Sequence, residues 1–406
     1  MNPLKGNSSN VKHKYDEGKL NYLLNLISIK CEENNIYINN DGLFNGKSGV
    51  SLFYFYYYSH TKSEKYFNLG SKLILEILED LNRGKLVTPY LSNGLCGIVW
   101  CIDHLFEKGY LSDPAENIFG VKLYDSLTNI AIESLSLNNY DYSHGALGIM
   151  AYLNARGKDV SPILRKIIDN SNSIGNEVFW NPIIFSPALP HKKDLTLAHG
   201  NAGVLAVLLQ LLEKTKEKKM LREIIKASSN YLLRGINRNS NVDLIFPDYV
   251  TNEYRNEHGI NMQLSWCTGD LGILYTLHKA LNILNEDKEN EKIMALLEKC
   301  AFKRHEIGSG SPDLFFCHGC IGHAHIFNRL YRETRHSLFF TASEYWLNHI
   351  SESKLNSSIY KNQINSDLPN SMKLGLINGI SGIGLSLILL MSPESAIRHF
   401  GEMFLL

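Results

Sequence analysis

Apolar residues along the chain fall into two alternating kinds of helical segment. The first kind is amphipathic, with apolar positions three and four apart and charges between them. Segments of this kind span roughly 19–33, 64–82, 121–135, 161–171, 218–233, 290–305 and 340–350. The second kind is apolar on more than one side, covering 50–58, 98–105, 149–153, 204–212, 271–281, 321–330 and 383–390. Such all-round apolarity predicts helices packed between two layers. Each of these runs opens on Gly-x-x-Gly, at 46/49, 94/97, 145/148, 200/203, 269/272, 319/322 and 379/382. Thirty glycines scattered at random would give about two such pairs, so seven mark a repeat.

The chain therefore reads as outer and inner helices alternating seven times. An open array needs polar caps at its ends, yet the last inner segment is among the most apolar in the chain. The expectation is an all-α, closed, double-layered α/α toroid of seven inner and seven outer helices. It would form a single domain over 18–392, with a flexible segment over 1–17 and a tail over 393–406. Glycine at each inner-helix start is expected to allow positive φ and close approach of neighbours where the ring narrows. Consecutive first glycines are 48, 51, 55, 69, 50 and 60 residues apart, and the slack belongs to loops. The longest, 236–263, carries Pro247 and short β-like runs such as 242–246; a second irregular stretch, 177–194, holds Trp180 and three prolines. Loops of this length on one rim commonly carry binding functions.

Composition narrows the setting. A chain of 406 residues with 44% hydrophobic content and no net formal charge fits a globular protein and gives no basic surface for nucleic acid. Seven scattered cysteines do not form a disulfide framework and fit a reducing compartment. No apolar signal segment occurs in the polar first 19 residues, so the cytoplasm is the expected location. The longest apolar run, 376–391, is interrupted by Asn378, Ser381 and glycines and is too short to cross a bilayer.

The chemistry concentrates in front of the glycine pairs. Cys317 and His318 precede Gly319, and Cys267 stands in front of Gly269 in the same frame. If all inner helices enter with one polarity, these positions gather at one end of the central hole. Cys267, Cys317 and His318 then form a three-ligand set suited to zinc, with the fourth tetrahedral position open. Taken alone, Cys317-x-x-Cys320 also fits a redox pair or buried packing thiols. Cys320 is expected to pack within the helix. Asp141, His144 and His199 reach the same rim from the third and fourth repeats. An Asp before a helix is often only a cap, His199 could cap the helix after it, and His144 is a rival for the site. His323 and His325 are expected in packing or hole-lining roles, and the aromatic run 53–58 in the core.

The seven Gly-x-x-Gly repeats, with Trp266-Cys267-Thr268-Gly269 in the fifth and Cys317-His318-Gly319 in the sixth, resemble the lanthionine synthetase C-like family over about residues 18–392. The nearest likeness is to its stand-alone lantibiotic cyclases. That resemblance implies one zinc ion on Cys267, Cys317 and His318. It also implies an enzyme that adds cysteine thiols of a precursor peptide to dehydroalanine or dehydrobutyrine, forming thioether rings. The family's essential histidine, in His-Gly-x-Ala-Gly, falls on His199, and its acidic residue on Asp141. Thiol attack at the β-carbon leaves an enolate that needs a proton at Cα; His199 is the candidate acid and Asp141 its orienter or a proton acceptor. The chain departs from the bacterial pattern at Thr268 and Gln263, where Tyr and Arg are usual. At this length there is no room for a fused dehydratase, so a separate dehydratase is expected, with an exporter as a further partner. A complex of that kind would bring the protein to the inner face of the cell membrane.

Two other classes compete. One is a zinc-containing relative that binds peptide or glutathione without closing rings. The other is a toroidal hydrolase or transferase of the glycosidase or prenyltransferase type, which in its hydrolase form needs two carboxylates across the hole. Only Asp141 occupies a rim position of that type.

Overall fold

A computed structural model describes residues 15–34, 38–183, 193–237, 245–247, 249–250, 264–303, 313–360, 372–392, 401 and 403–406. Among the described residues the first eight helices are α1 (Glu17–Asn34), α2 (Lys47–Thr61), α3 (Glu64–Asn82), α4 (Leu95–Glu107), α5 (Ala115–Phe119), α6 (Leu123–Ser136), α7 (Ala146–Ala155) and α8 (Ser161–Asp169). The remaining eight are α9 (Asn201–Leu212), α10 (Lys218–Gly235), α11 (Asp270–Leu284), α12 (Asp287–Phe302), α13 (Cys320–Thr334), α14 (Ser337–Asn348), α15 (Glu352–Tyr360) and α16 (Ile380–Met391).

The inner layer runs α2, α4, α7, α9, α11, α13, α16, each helix lying against the next, and α16 returns to lie against α2. The array is closed, as its apolar last helix requires. Outside it, α1 packs on α16, α3 on α2, α6 on α7, α10 on α9 and α11, α12 on α11, and α14 on α13, with α8 beside α6. Burial follows the two sequence patterns. In α3 the buried positions are Gly70, Leu73, Ile74 and Ile77, one face of the helix; in α9 eleven of twelve residues are buried. Helix α12 begins three residues before the expected start at 290, because Asp287 and Glu289 in its first turn complement the helix dipole. The short α5 and α15 are additions to the fourteen-helix plan.

The glycine pairs work by close approach alone. The residue before each inner helix has φ between −93° and −150°, which is extended backbone and not the left-handed region. The second glycine of each pair sits instead against the carbonyl oxygen six residues earlier. A Cβ on Gly148 would collide with the Tyr142 carbonyl, and one on Gly322 with that of Phe316.

These tight turns are joined to one another by main-chain hydrogen bonds. Phe44 N donates to Ser92 O (2.9 Å), Ser92 N to Ser143 O (2.8 Å), Tyr142 N to Ala198 O (2.8 Å) and Leu197 N to Cys267 O (3.0 Å). Trp266 N then donates to Cys317 O (2.9 Å), Cys317 N to Ile377 O (3.0 Å), and Ile377 N back to Phe44 O (3.1 Å). All seven turns are thus linked in one unbroken cycle at the N-terminal ends of the inner helices.

The irregular stretches contain local order. Strands β1 (Asn172–Ile174) and β2 (Glu177–Phe179) form an antiparallel hairpin, and β3 (Lys193–Asp194) pairs with β4 (Tyr249–Val250), so the two rim stretches touch each other. Trp180 is fully buried, with its indole N–H on Ile167 O at 2.8 Å. Of the run 242–246, residues 242–244 lie outside the described residues. Ile245 N and Phe246 N donate to the buried Asp270 carboxylate at 3.1 and 2.8 Å. The N-terminal 1–14 and the 393–400 part of the expected tail also lie outside the described residues.

Residues 403–406, expected as tail, are buried. Tyr142 OH donates to Met403 O (2.7 Å) and the Trp266 indole to Phe404 O (2.8 Å). The Phe404 ring packs on Phe44 and Phe316 at centroid distances of 5.4 and 4.4 Å. A segment touching the first, third, fifth and sixth turns at once lies across the middle of the cycle. No helix among the described residues is long and apolar enough to cross a membrane; α16, with twelve residues, is buried along nearly its whole length.

Phe404→Ala removes a fully buried ring held between three turns, against Phe44, Trp266 and Phe316, and is expected to cost about 3–5 kcal/mol of stability. Urea unfolding of the variant checks this, and an unchanged midpoint would show that the segment is not part of the packed interior.

Candidate metal and acid–base site

The cycle of turns places side chains two and one residues before each glycine pair around a common mouth. Because Trp266 N is bonded to Cys317 O, the fifth and sixth turns lie side by side. Their donors converge: the Sγ atoms of Cys267 and Cys317 and a ring nitrogen of His318 all lie within 4.8 Å of one another. Bonds of about 2.3 Å to sulfur and about 2.0 Å to nitrogen would put tetrahedral zinc ligands roughly 3.5–4 Å apart. The spacing and the soft donor set therefore suit such an ion, and Cys267, Cys317 and His318 could hold a metal.

The protons of the cluster are shared. Hydrogen bonding from the Cys317 thiol, with His318 close by, draws Cys267 well below the usual thiol range against the opposing effect of burial. Cys317, as the donor, is raised. On His318, burial disfavours charge, but the Asp313 carboxylate and Cys267 push the imidazole up to about 10. A metal entering the cluster would therefore displace protons. Inner-helix N-termini around the mouth add partial positive charge that favours thiolate.

The third and fourth turns supply the second half of the site. Tyr142 N is bonded to Ala198 O, and across that junction Asp141 Oδ2 meets His199 Nδ1 at 2.5 Å. The other carboxylate oxygen, Oδ1, accepts from Ser143 N and His144 N, both at 2.7 Å. Asp141 is therefore both the turn cap and the partner of His199. Burial works against charge on both residues, yet their pairing holds Asp141 below the usual carboxylate range and raises His199 to about 9. The pairing favours the imidazolium form of His199. Ala198 N donates to Cys267 O at 3.0 Å, which sets the His199 turn directly against the thiol cluster. Asp141, His199, Cys267 and Cys317 thus come from four consecutive turns.

The remaining sequence candidates separate from this group. His144 Nδ1 is 3.7 Å from Asp141 Oδ1 and its side chain is half exposed. Cys320 is buried at the start of α13, its thiol pushed up to about 12 by burial, and it is not a member of the three-donor cluster. His323 packs edge-on against Trp346 and His325 against Phe316, inside the wall. Phe53 to Tyr57 are core residues. Thr268 Oγ1 lies 3.2 Å from Ser265 Oγ, and Gln263 is outside the described residues.

One contact was not anticipated from the sequence. Asp313, six residues before Gly319, has Oδ2 at 3.1 Å from His318 Nδ1. The signal was available in the repeat: Asn40, Asn139 and Asp194 stand six before their own first glycines.

The His199 pair yields a pH-dependent expectation. Its folded value lies above the ordinary histidine value of about 6.5, so its contribution to stability is complete below that pH. It is lost as pH rises through about 9. Histidine Cε1 NMR titration should give about 9 for His199 in the wild type, falling toward the ordinary value in Asp141→Asn; an equal value in both would remove Asp141 as its partner.

A matching family model and one solved structure agree with this architecture. A family model described as lanthionine synthetase C-like protein matches residues 37–405. Among solved structures, a nisin cyclase superposes with a TM-score of 0.70 at 19% identity, covering 96% of this chain and 98% of that one. A possible member of the GH105 family from Salmonella enterica gives a TM-score of 0.45 at 11% identity, covering 98% and 100%.

Proposed function

The chain belongs to the lanthionine synthetase C-like family, and from that premise we propose that it is a zinc-dependent peptide cyclase. Its substrate would be a dehydrated precursor peptide of the lantibiotic type, and its product the thioether-bridged peptide. The observation that carries this reading is the convergence of two thiols and an imidazole within 4.8 Å, beside a hydrogen-bonded Asp141–His199 pair.

The roles follow from the groups present. Cys267, Cys317 and His318 would hold zinc. Bound there, zinc supplies a Lewis acid that lets an incoming cysteine thiol lose its proton near neutral pH. The sulfur then bonds to the β-carbon of dehydroalanine or dehydrobutyrine, and the π electrons of that residue pass toward Cα and its carbonyl. His199, hydrogen-bonded to Asp141, would donate the proton that Cα takes up. Asp141 keeps Nδ1 of His199 engaged, so that Nε2 is the nitrogen that works toward the substrate. The thiol proton leaves to solvent and solvent later reprotonates His199, so the reaction balances without an oxidant or reductant: one S–H bond and the π bond of one C=C are replaced by C–S and C–H.

A separate dehydratase would make the substrate, and an exporter would follow in the same complex. A single domain that includes the buried residues 403–406 forms the ring in this reading. The carboxylate pair of the hydrolase alternative finds no support in Asp270, whose oxygens are taken by Ile245 N, Phe246 N and Lys303.

The test is incubation of the zinc-loaded protein with a dehydrated Cys-containing precursor, followed by alkylation and mass spectrometry. Loss of alkylatable thiols at unchanged peptide mass is expected. Unchanged thiols with zinc in place would replace the cyclase reading by binding alone. His199→Ala should keep zinc and lose about 10²–10⁴-fold in ring-closure rate. Cys317→Ala should lose stoichiometric zinc with its helical circular dichroism preserved, and full zinc in that variant would refute the ligand set.

A further inference from the structure

We propose that Asp313 is a positioning residue that fixes which nitrogen of His318 faces the metal position, an inference that rests on the zinc reading above. The carboxylate has two separate engagements. Oδ1 accepts from Phe315 N at 2.8 Å, and Oδ2 meets His318 Nδ1 at 3.1 Å.

The first engagement is ordinary turn chemistry, and the chain itself shows how little it demands. At the same place in other repeats, Asn40 Oδ1 accepts from Gly42 N (2.7 Å), Asn139 Oδ1 from Asp141 N (3.3 Å) and Asp194 Oδ1 from Thr196 N (2.7 Å). Asparagine serves in two of these four turns, so the turn needs one oxygen and no charge. The second engagement is what a carboxylate adds at 313.

Its consequence is a choice of tautomer. An ionised carboxylate only accepts, so the ring nitrogen facing it must carry hydrogen. With Nδ1–H committed to Asp313, the lone pair of neutral His318 lies on Nε2, the nitrogen left for the metal. An asparagine here would keep its oxygen on Phe315 N and turn its NH₂ group toward Nδ1. Donor would then face donor, and the ring would be driven to place its hydrogen on Nε2, closing the ligand position. Asp313→Asn therefore separates the two roles: the turn survives and the orientation does not.

The experiment measures zinc affinity by competition with a chromophoric chelator for wild type, Asp313→Asn and Cys317→Ala, each stripped of metal first. Melting curves of the stripped proteins accompany it. Asp313→Asn is expected to melt with the wild type and to bind zinc about 10–100-fold more weakly. Equal affinity in wild type and Asp313→Asn would reduce Asp313 to a turn residue and overturn the inference while leaving the zinc reading intact. Wild type that takes up no zinc would overturn both.

If the variant melts early, ¹⁵N-edited spectra of the zinc-loaded wild type decide independently. A slowly exchanging Nδ1 proton on His318 supports the proposal, and its absence overturns it.

Discussion

Everything in this molecule depends on a cycle of main-chain hydrogen bonds that runs through seven turns and returns to its start. Buried amide and carbonyl groups must find partners, and here those in front of each inner helix find them in the neighbouring turn. The cycle leaves no room for a side chain at the second glycine of each pair, where the carbonyl of the same turn presses against the Cα. It also fixes neighbours: Cys267 and Cys317 face each other because the turns that bear them are adjacent in it. A thiol pair assembled from residues fifty positions apart is thus a by-product of backbone pairing.

The same geometry explains the electrostatics. Inner helices that all begin at the cycle direct their positive ends to one mouth. Among acidic groups of these turns, Asp270 accepts from backbone N–H groups and pairs with Lys303, while Asp141 and Asp313 are each divided between a turn and a histidine. Asp141 and Asp313 follow one plan: one oxygen on the main chain, the other on an imidazole Nδ1. That shared plan gives two histidines a defined orientation with very little additional protein.

Much of this was legible in the sequence, because repetition writes itself into spacing. The glycine pairs located every inner helix, and the apolar character of 383–390 announced closure. The cysteines and His318 were visible once the turns were known to meet. The rest depends on long-range contact that no local pattern encodes. Residues 403–406 look like an unremarkable apolar end until Tyr142 and Trp266 reach them. The pairing of Lys193–Asp194 with Tyr249–Val250 joins two stretches that read as separate loops. Asp313 lay in a position that Asn also fills elsewhere, so its second oxygen could be interpreted only with His318 in view. Of the two reasons expected for glycine at the inner-helix starts, close approach holds and positive φ does not.

Closure of the cycle has a kinetic side. The bond from Ile377 N to Phe44 O joins residues near opposite ends of the polypeptide, and Cys317 N is itself held by Ile377 O. Contacts of such sequence separation form slowly, because a long loop must lose its freedom before any pairing rewards it. Individual helix pairs can therefore condense during synthesis, while the sixth turn acquires its final bond only after the seventh has emerged. The pocket of thiols then matures among the last features of the fold, at the moment when the circle locks.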